Sequence, residues 1–146
     1  MVMQLYDLRR EAELRKARNW WVVTFWPQTA DDFIRVATAL GTQENNWLRQ
    51  AGGYWDMAAS LVLHGAVNEE LFLSTGVSGE MSFIFAKIYP FLKEIRQKMN
   101  NPDLFANIEK VATGSKIARK RLERMLLSQT QRRKAMAEKK PAKAAK

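Results

Sequence analysis

Apolar residues recur along this chain at intervals of three and four, and no stretch alternates strictly between apolar and polar. That period belongs to amphipathic helices, and no strand pattern competes with it. The clearest stripe is Trp47, Ala51, Tyr54, Trp55, Ala58, Leu61 and Val62, with Leu48, Ala59 and Leu63 widening it. It predicts a long helix over residues 43–64, capped by Thr42 and the most buried of the set. Gly52 and Gly53 interrupt it at a cost of roughly 1 kcal/mol each relative to Ala. A neighbouring helix that approaches closely, such as one carrying Trp20 or Trp21, would explain them.

Punctuation sets the other elements. A first helix is expected over residues 4–25, ended by Pro27, with Glu11 and Arg15 as i,i+4 partners. Thr29 and Asp32 form a capping-box pair before a helix over 30–40 that Gly41 closes. Asn68 can cap a short helix over 69–74 with two leading acids. Ser78 or Gly79 should open a helix to Met99 with a kink at Pro90. Asn101 or Pro102 starts another, to Ala112. A last helix over 116–136 has a short stripe of Ala118, Leu122, Met125 and Leu126. The stripe fades after Leu127, so this helix should leave the body, and residues 138–146 read as disordered.

The expected fold is therefore all-α: a compact bundle of about six helices with a basic, partly disordered C-terminal extension. Residues 1–114 form the helical domain, 115–137 the basic helix and 138–146 the Lys/Ala tail. At 146 residues and 47% hydrophobic, the chain suits one domain with a real core. There is no Cys, which excludes disulfides and thiolate chemistry, and one His argues against a His-built metal site. The N-terminal residues lack the apolar run of a signal peptide. The longest aromatic-apolar stretch, Trp20 to Trp26, falls far short of the ~18 residues of a membrane span. A cytoplasmic protein is the expectation.

Charge changes the picture more than composition does. Residues 116–146 hold 12 Lys and Arg against 2 acids, net +10, while the preceding residues hold 12 basic and 13 acidic residues, net −1. The net charge of +9 is a property of the C-terminal arm. Its basic clusters, Arg119-Lys120-Arg121 and Arg132-Arg133-Lys134, with Arg124 between, are the candidate sites for phosphate-mediated, non-specific nucleic-acid binding. An anionic membrane surface would meet the same charges, and a merely solubilising arm is the bland alternative. No aromatic residue follows Phe105, which argues against base stacking by the arm.

Catalytic candidates are weaker. Asp56, Ser60 and His64 have the types of a hydrolase triad but stand at i, i+4 and i+8 on one helix, whereas triads converge from separate elements. A polar helix edge is the simpler reading, with Arg49 paired to Asp56 and His64 near the last carbonyls. The run Gly76 to Glu80 lacks the Lys and spacing of a phosphate loop and reads as a turn with a Ser cap. Glu69, Glu70 and Glu80 suit helix starts better than a metal. No catalytic residue, metal or cofactor is expected. Trp20, Trp21, Phe25 and Trp26 read as core, or in part as an exposed partner patch. The second functional reading is a protein–protein adaptor acting through its helical body.

Residues Gly53 to Met57, His64 to Phe72, Pro90 to Arg96 and Pro102 to Phe105 resemble a family of small, uncharacterised, helical bacterial proteins. The resemblance spans roughly residues 50–112 and consists of helix punctuation. It implies a compact α-helical fold and a bacterial setting, and no functional residue.

Overall fold

The computed structural model describes residues 1–144. Among them the chain forms nine α-helical segments and no strand, joined by a π turn and a 3-10 turn. They are α1 (Val2–Arg9), α2 (Ala12–Asn19), α3 (Ala30–Thr38), α4 (Gln43–Leu63), α5 (Glu69–Phe72), α6 (Thr75–Ile88), α7 (Leu92–Lys98), α8 (Ala106–Thr113) and α9 (Lys116–Ala144). The all-α expectation holds, while the bundle ahead of α9 has eight helices rather than about six, because two predicted helices are broken.

The first break follows Arg10. Glu11 does not serve as a mid-helix partner of Arg15. Its carboxylate accepts from the Glu13 amide at 3.1 Å and the Leu14 amide at 2.8 Å, which caps α2. The second break is Pro90. Without an N–H it cannot continue the ladder, so the chain tightens into a 3-10 turn over Tyr89–Phe91 before α7 resumes. The expected caps at Thr29, Thr42 and Asn68 are all present, and Thr29 with Asp32 forms the full capping box.

Helix α4 is central, packed by α2, α3 and α8. The aromatic cluster is core: Trp20 stacks on Phe25 with centroids 4.5 Å apart, and Trp21 meets the same ring edge-on at 5.2 Å. Trp20, Trp21 and Phe25 are buried, and Trp26 is half-buried. The Trp21 indole donates to the Leu48 carbonyl at 3.3 Å. The close approach at Gly52 comes from elsewhere than expected. The Phe105 ring occupies it, so that a Cβ there would stand 2.8 Å from Cε1, and Trp20 and Trp21 are not involved. Phe105 precedes α8 with a left-handed backbone, φ +54°.

Helix α9 departs furthest from expectation. It runs to Ala144, past the expected end near Met136. Ala135, Met136, Ala137, Glu138 and Lys139 are strong helix formers, and composition alone understates that. Residues 145 and 146, the end of the expected disordered tail, lie outside the described residues.

Candidate polyanion interface on the last helix

Helix α9 packs against α6 and α8. Ser115 caps it, its hydroxyl accepting from the Ala118 amide at 3.2 Å. Ala118 and Leu122 are buried, as the short apolar stripe predicts. The helix does not leave the body where that stripe fades. Polar side chains take over its inner face.

Arg121 is buried, its guanidinium donating to the Leu73 carbonyl at 2.8 Å and the Ser78 hydroxyl at 3.0 Å. Burial, with Arg124 nearby, lowers its pKa from the ordinary arginine value. Two turns on, the buried Gln129 donates to the Phe83 carbonyl at 2.8 Å. One further turn along, Arg133 donates to the Lys87 carbonyl at 2.5 Å and the Pro27 carbonyl at 3.3 Å. Burial also lowers the Arg133 pKa.

These contacts meet a second buried cation that sequence reasoning missed. Lys87 of α6 is fully buried, and its ammonium donates to the carbonyls of Trp21, Val22 (3.0 Å) and Phe25 (2.9 Å). Those carbonyls become available because the π turn Trp20–Thr24 shifts the hydrogen-bond ladder and Phe25 ends it in extended backbone. The ammonium also lies 3.8 Å from the Trp26 ring centroid. Burial, then the nearby Arg132 and Arg133, pull its pKa down to about 7. Lys87 sits inside the apolar run Phe83 to Ile88, and a lone cation there is the signal that marked it.

The seven candidate cations therefore divide. Arg121 and Arg133 turn inward and serve the body's own carbonyls. Arg119, Lys120, Arg124, Arg132 and Lys134 stay exposed. Arg119 reaches the Thr113 carbonyl at 3.0 Å, and the Arg132 guanidinium lies 4.5 Å from the Trp26 ring centroid. No ion pair among the described residues involves a cation of α9. Exposed Ile117 and Leu127 share this outer face.

The triad types do not converge as a set: Ser60 Oγ lies 3.4 Å from His64 Nδ1 one turn along the same helix edge, and Asp56 is not with them. Asp56 turns to α8, accepting from the Ile108 amide at 3.2 Å and the Asn107 side chain at 3.0 Å. It is not paired with Arg49, which donates to Asn45 and Asn46. His64 is exposed at the end of α4, its Nδ1 donating to the Ser60 carbonyl at 2.8 Å. Glu80 is held by Arg18 through two bonds of 2.8 and 2.7 Å and by the Trp55 indole at 3.2 Å. It thus anchors α2 to α6 and stands apart from Glu69 and Glu70. Ser78 does not open its helix: α6 starts at Thr75 and Ser78 is buried within it. Among the described residues, no group of three or more His, Asp or Glu is placed to hold a metal ion. No described helix is long and apolar enough to cross a membrane.

Residues 1–115 match the family described as domain of unknown function (DUF4760), and the chain belongs to it. The match is wider than the resemblance over residues 50–112 and covers α1 to α8, ending one residue before α9. No curated protein and no solved structure matches the chain.

Proposed function

We propose that this member of the DUF4760 family is a non-enzymatic, cytoplasmic binding module whose last helix contacts nucleic acid through phosphates, without sequence specificity. The observation that carries the reading is the exposed cationic face of α9. Arg119, Lys120, Arg124, Arg132 and Lys134 present their charges to solvent along a rigid helix with no carboxylate partner among the described residues. Arg121 and Arg133 support it indirectly, by fixing the helix to the body. A docked helix holds its outer charges in register, so less side-chain and backbone freedom is lost on binding than with a floppy arm. Phosphate contact needs only such charges, and each contact releases counterions.

Fluorescence anisotropy with a short labelled duplex, read across salt concentrations, tests this. The expected result is affinity that falls steeply with salt. Changing Arg119, Arg132 and Lys134 together to Gln should flatten the log–log salt slope by about 0.9 for each phosphate no longer neutralised. No binding at low salt, or an unchanged slope in the triple variant, refutes the reading.

A further inference from the structure

We propose that the start of α9 and the short helix α5 form a self-complementary surface through which two copies of this chain pair about a twofold axis. The surface consists of two shallow hollows that share one residue, Ile117. The first, about 560 Å³, is lined by Asn68, Glu69, Glu70, Leu73 and Ser115 with Ile117. The second, about 540 Å³, is lined by Lys120, Glu123, Arg124 and Leu127 with Ile117. Ile117 is 68% exposed and Leu127 64%, two branched aliphatic side chains on a face otherwise rich in charge. Glu69 and Glu70 are exposed and unpaired among the described residues, as are Lys120 and Arg124.

The order along the surface chooses the occupant. One hollow carries two acids and no cation. The other carries two cations against one acid, and the apolar side chain lies between them. A twofold axis through Ile117 lays the acidic hollow of each copy over the basic hollow of the other, and does so twice by symmetry. Ile117 then packs against Ile117 of the second copy at the centre. Leu127 of each copy approaches the Leu73 side of its mate, so apolar meets apolar and charge meets opposite charge. A uniformly anionic partner suits only half of this surface, because Glu69 and Glu70 would repel it. With two small hollows and few large side chains, the contact belongs with the smaller interfaces, weak and reversible. In the dimer Lys120 and Arg124 serve the second copy, and polyanion contact rests on Arg119, Arg132 and Lys134.

Sedimentation velocity of the full chain over rising concentration, at low and high salt and without nucleic acid, tests the pairing. Monomer–dimer exchange is expected at low salt by about 200 µM, shifted towards monomer by about 1 M salt. Changing Ile117→Asp should abolish the dimer. So should Glu69→Lys with Glu70→Lys, and separately Lys120→Glu with Arg124→Glu. Mixing the two charge-reversed proteins should restore a dimer, because each contact then joins opposite charges again. Far-UV circular dichroism checks that each variant folds, and the exposed positions give no reason for any to fail. A wild type that stays monomeric, an I117D variant that still dimerises, or a mixture that remains monomeric overturns the proposal. The pairing is read without nucleic acid and the binding test changes only Arg119, Arg132 and Lys134, so failure of one reading is distinguishable from failure of the other.

Discussion

Replacing Gly52 with alanine places a methyl group 2.8 Å from Cε1 and 3.2 Å from Cζ of Phe105, whereas at Gly53 nothing lies within 4 Å. Both sit in the interior of α4, so both substitutions gain the same intrinsic term. Alanine restricts the unfolded chain and favours the helix, by about 0.5–1 kcal/mol. At Gly53, which is exposed, that gain is the whole effect. At Gly52 it meets overpacking, which costs about 1–3 kcal/mol when a core cannot yield. Phe105 has little room to yield. Its ring packs edge-on against Phe33 at 6.1 Å, and its left-handed backbone is fixed by the entry into α8. Gly52→Ala should therefore destabilise by about 1 kcal/mol net, while Gly53→Ala stabilises by somewhat less.

Urea unfolding followed by far-UV circular dichroism reads both. In thermal melts the two variants should move in opposite directions, by about 3 °C per kcal/mol for a chain of this size. Phe105→Leu removes the obstructing ring atoms, so Gly52→Ala made in that background should lose its penalty. A Gly52→Ala protein as stable as the Gly53→Ala protein would refute the assignment of Phe105 as the reason for the glycine.

Two further predictions concern the buried cations. The Lys87 pKa is about 7 in the folded protein against 10.5 for an ordinary lysine. Between those values the unfolded chain binds the extra proton, so stability should rise as pH climbs from about 7 towards 10.5. Thermal melts across that range should show the rise, and Lys87→Met should flatten it; equal slopes in the two proteins would contradict the burial argument. The inner and outer faces of α9 should also separate in urea unfolding. Arg121→Met should cost about 2 kcal/mol, since it removes the hydrogen bonds from a buried charge to Leu73 and Ser78. Lys120→Met should change stability by less than about 0.5 kcal/mol, and a penalty there matching that at Arg121 would refute the division of the helix into two faces.

Local signals carried most of the fold. Thr29, Thr42 and Asn68 cap the helices their positions predict, because an N-cap needs only a residue and an amide three positions on. The α4 stripe was legible for the same reason: burial at period 3.6 is written in neighbouring residues. What failed was non-local or a competition between local options. Glu11 had both an i,i+4 partner and two free amides within reach, and the amides won. Asp56 supports a helix that begins some fifty residues later, which no spacing rule anticipates. Of the candidate site, the charge of the arm was legible, but its division into inward and outward cations was not, because hydrophobic periodicity assigns every Arg to solvent.

That division follows from what the body offers α9. The trough beneath Arg121, Gln129 and Arg133 is rimmed by backbone oxygens: the carbonyls of Leu73, Phe83, Lys87 and Pro27. An apolar side chain laid there would leave the acceptors outside the helical ladder, such as the Leu73 and Pro27 carbonyls, without donors, at a cost of about 1–3 kcal/mol for each one buried. Guanidinium and amide groups satisfy them, and Arg does so with a long apolar stem that still fills space. The satisfaction is incomplete, since Nε of Arg121 and Oε1 of Gln129 are buried without partners. The same residues that look in sequence like an extension of a polyanion-binding surface thus hold the helix in place. Charge density along the arm overstates the interface, and the positions that matter for binding are those whose side chains stay exposed on the outer face.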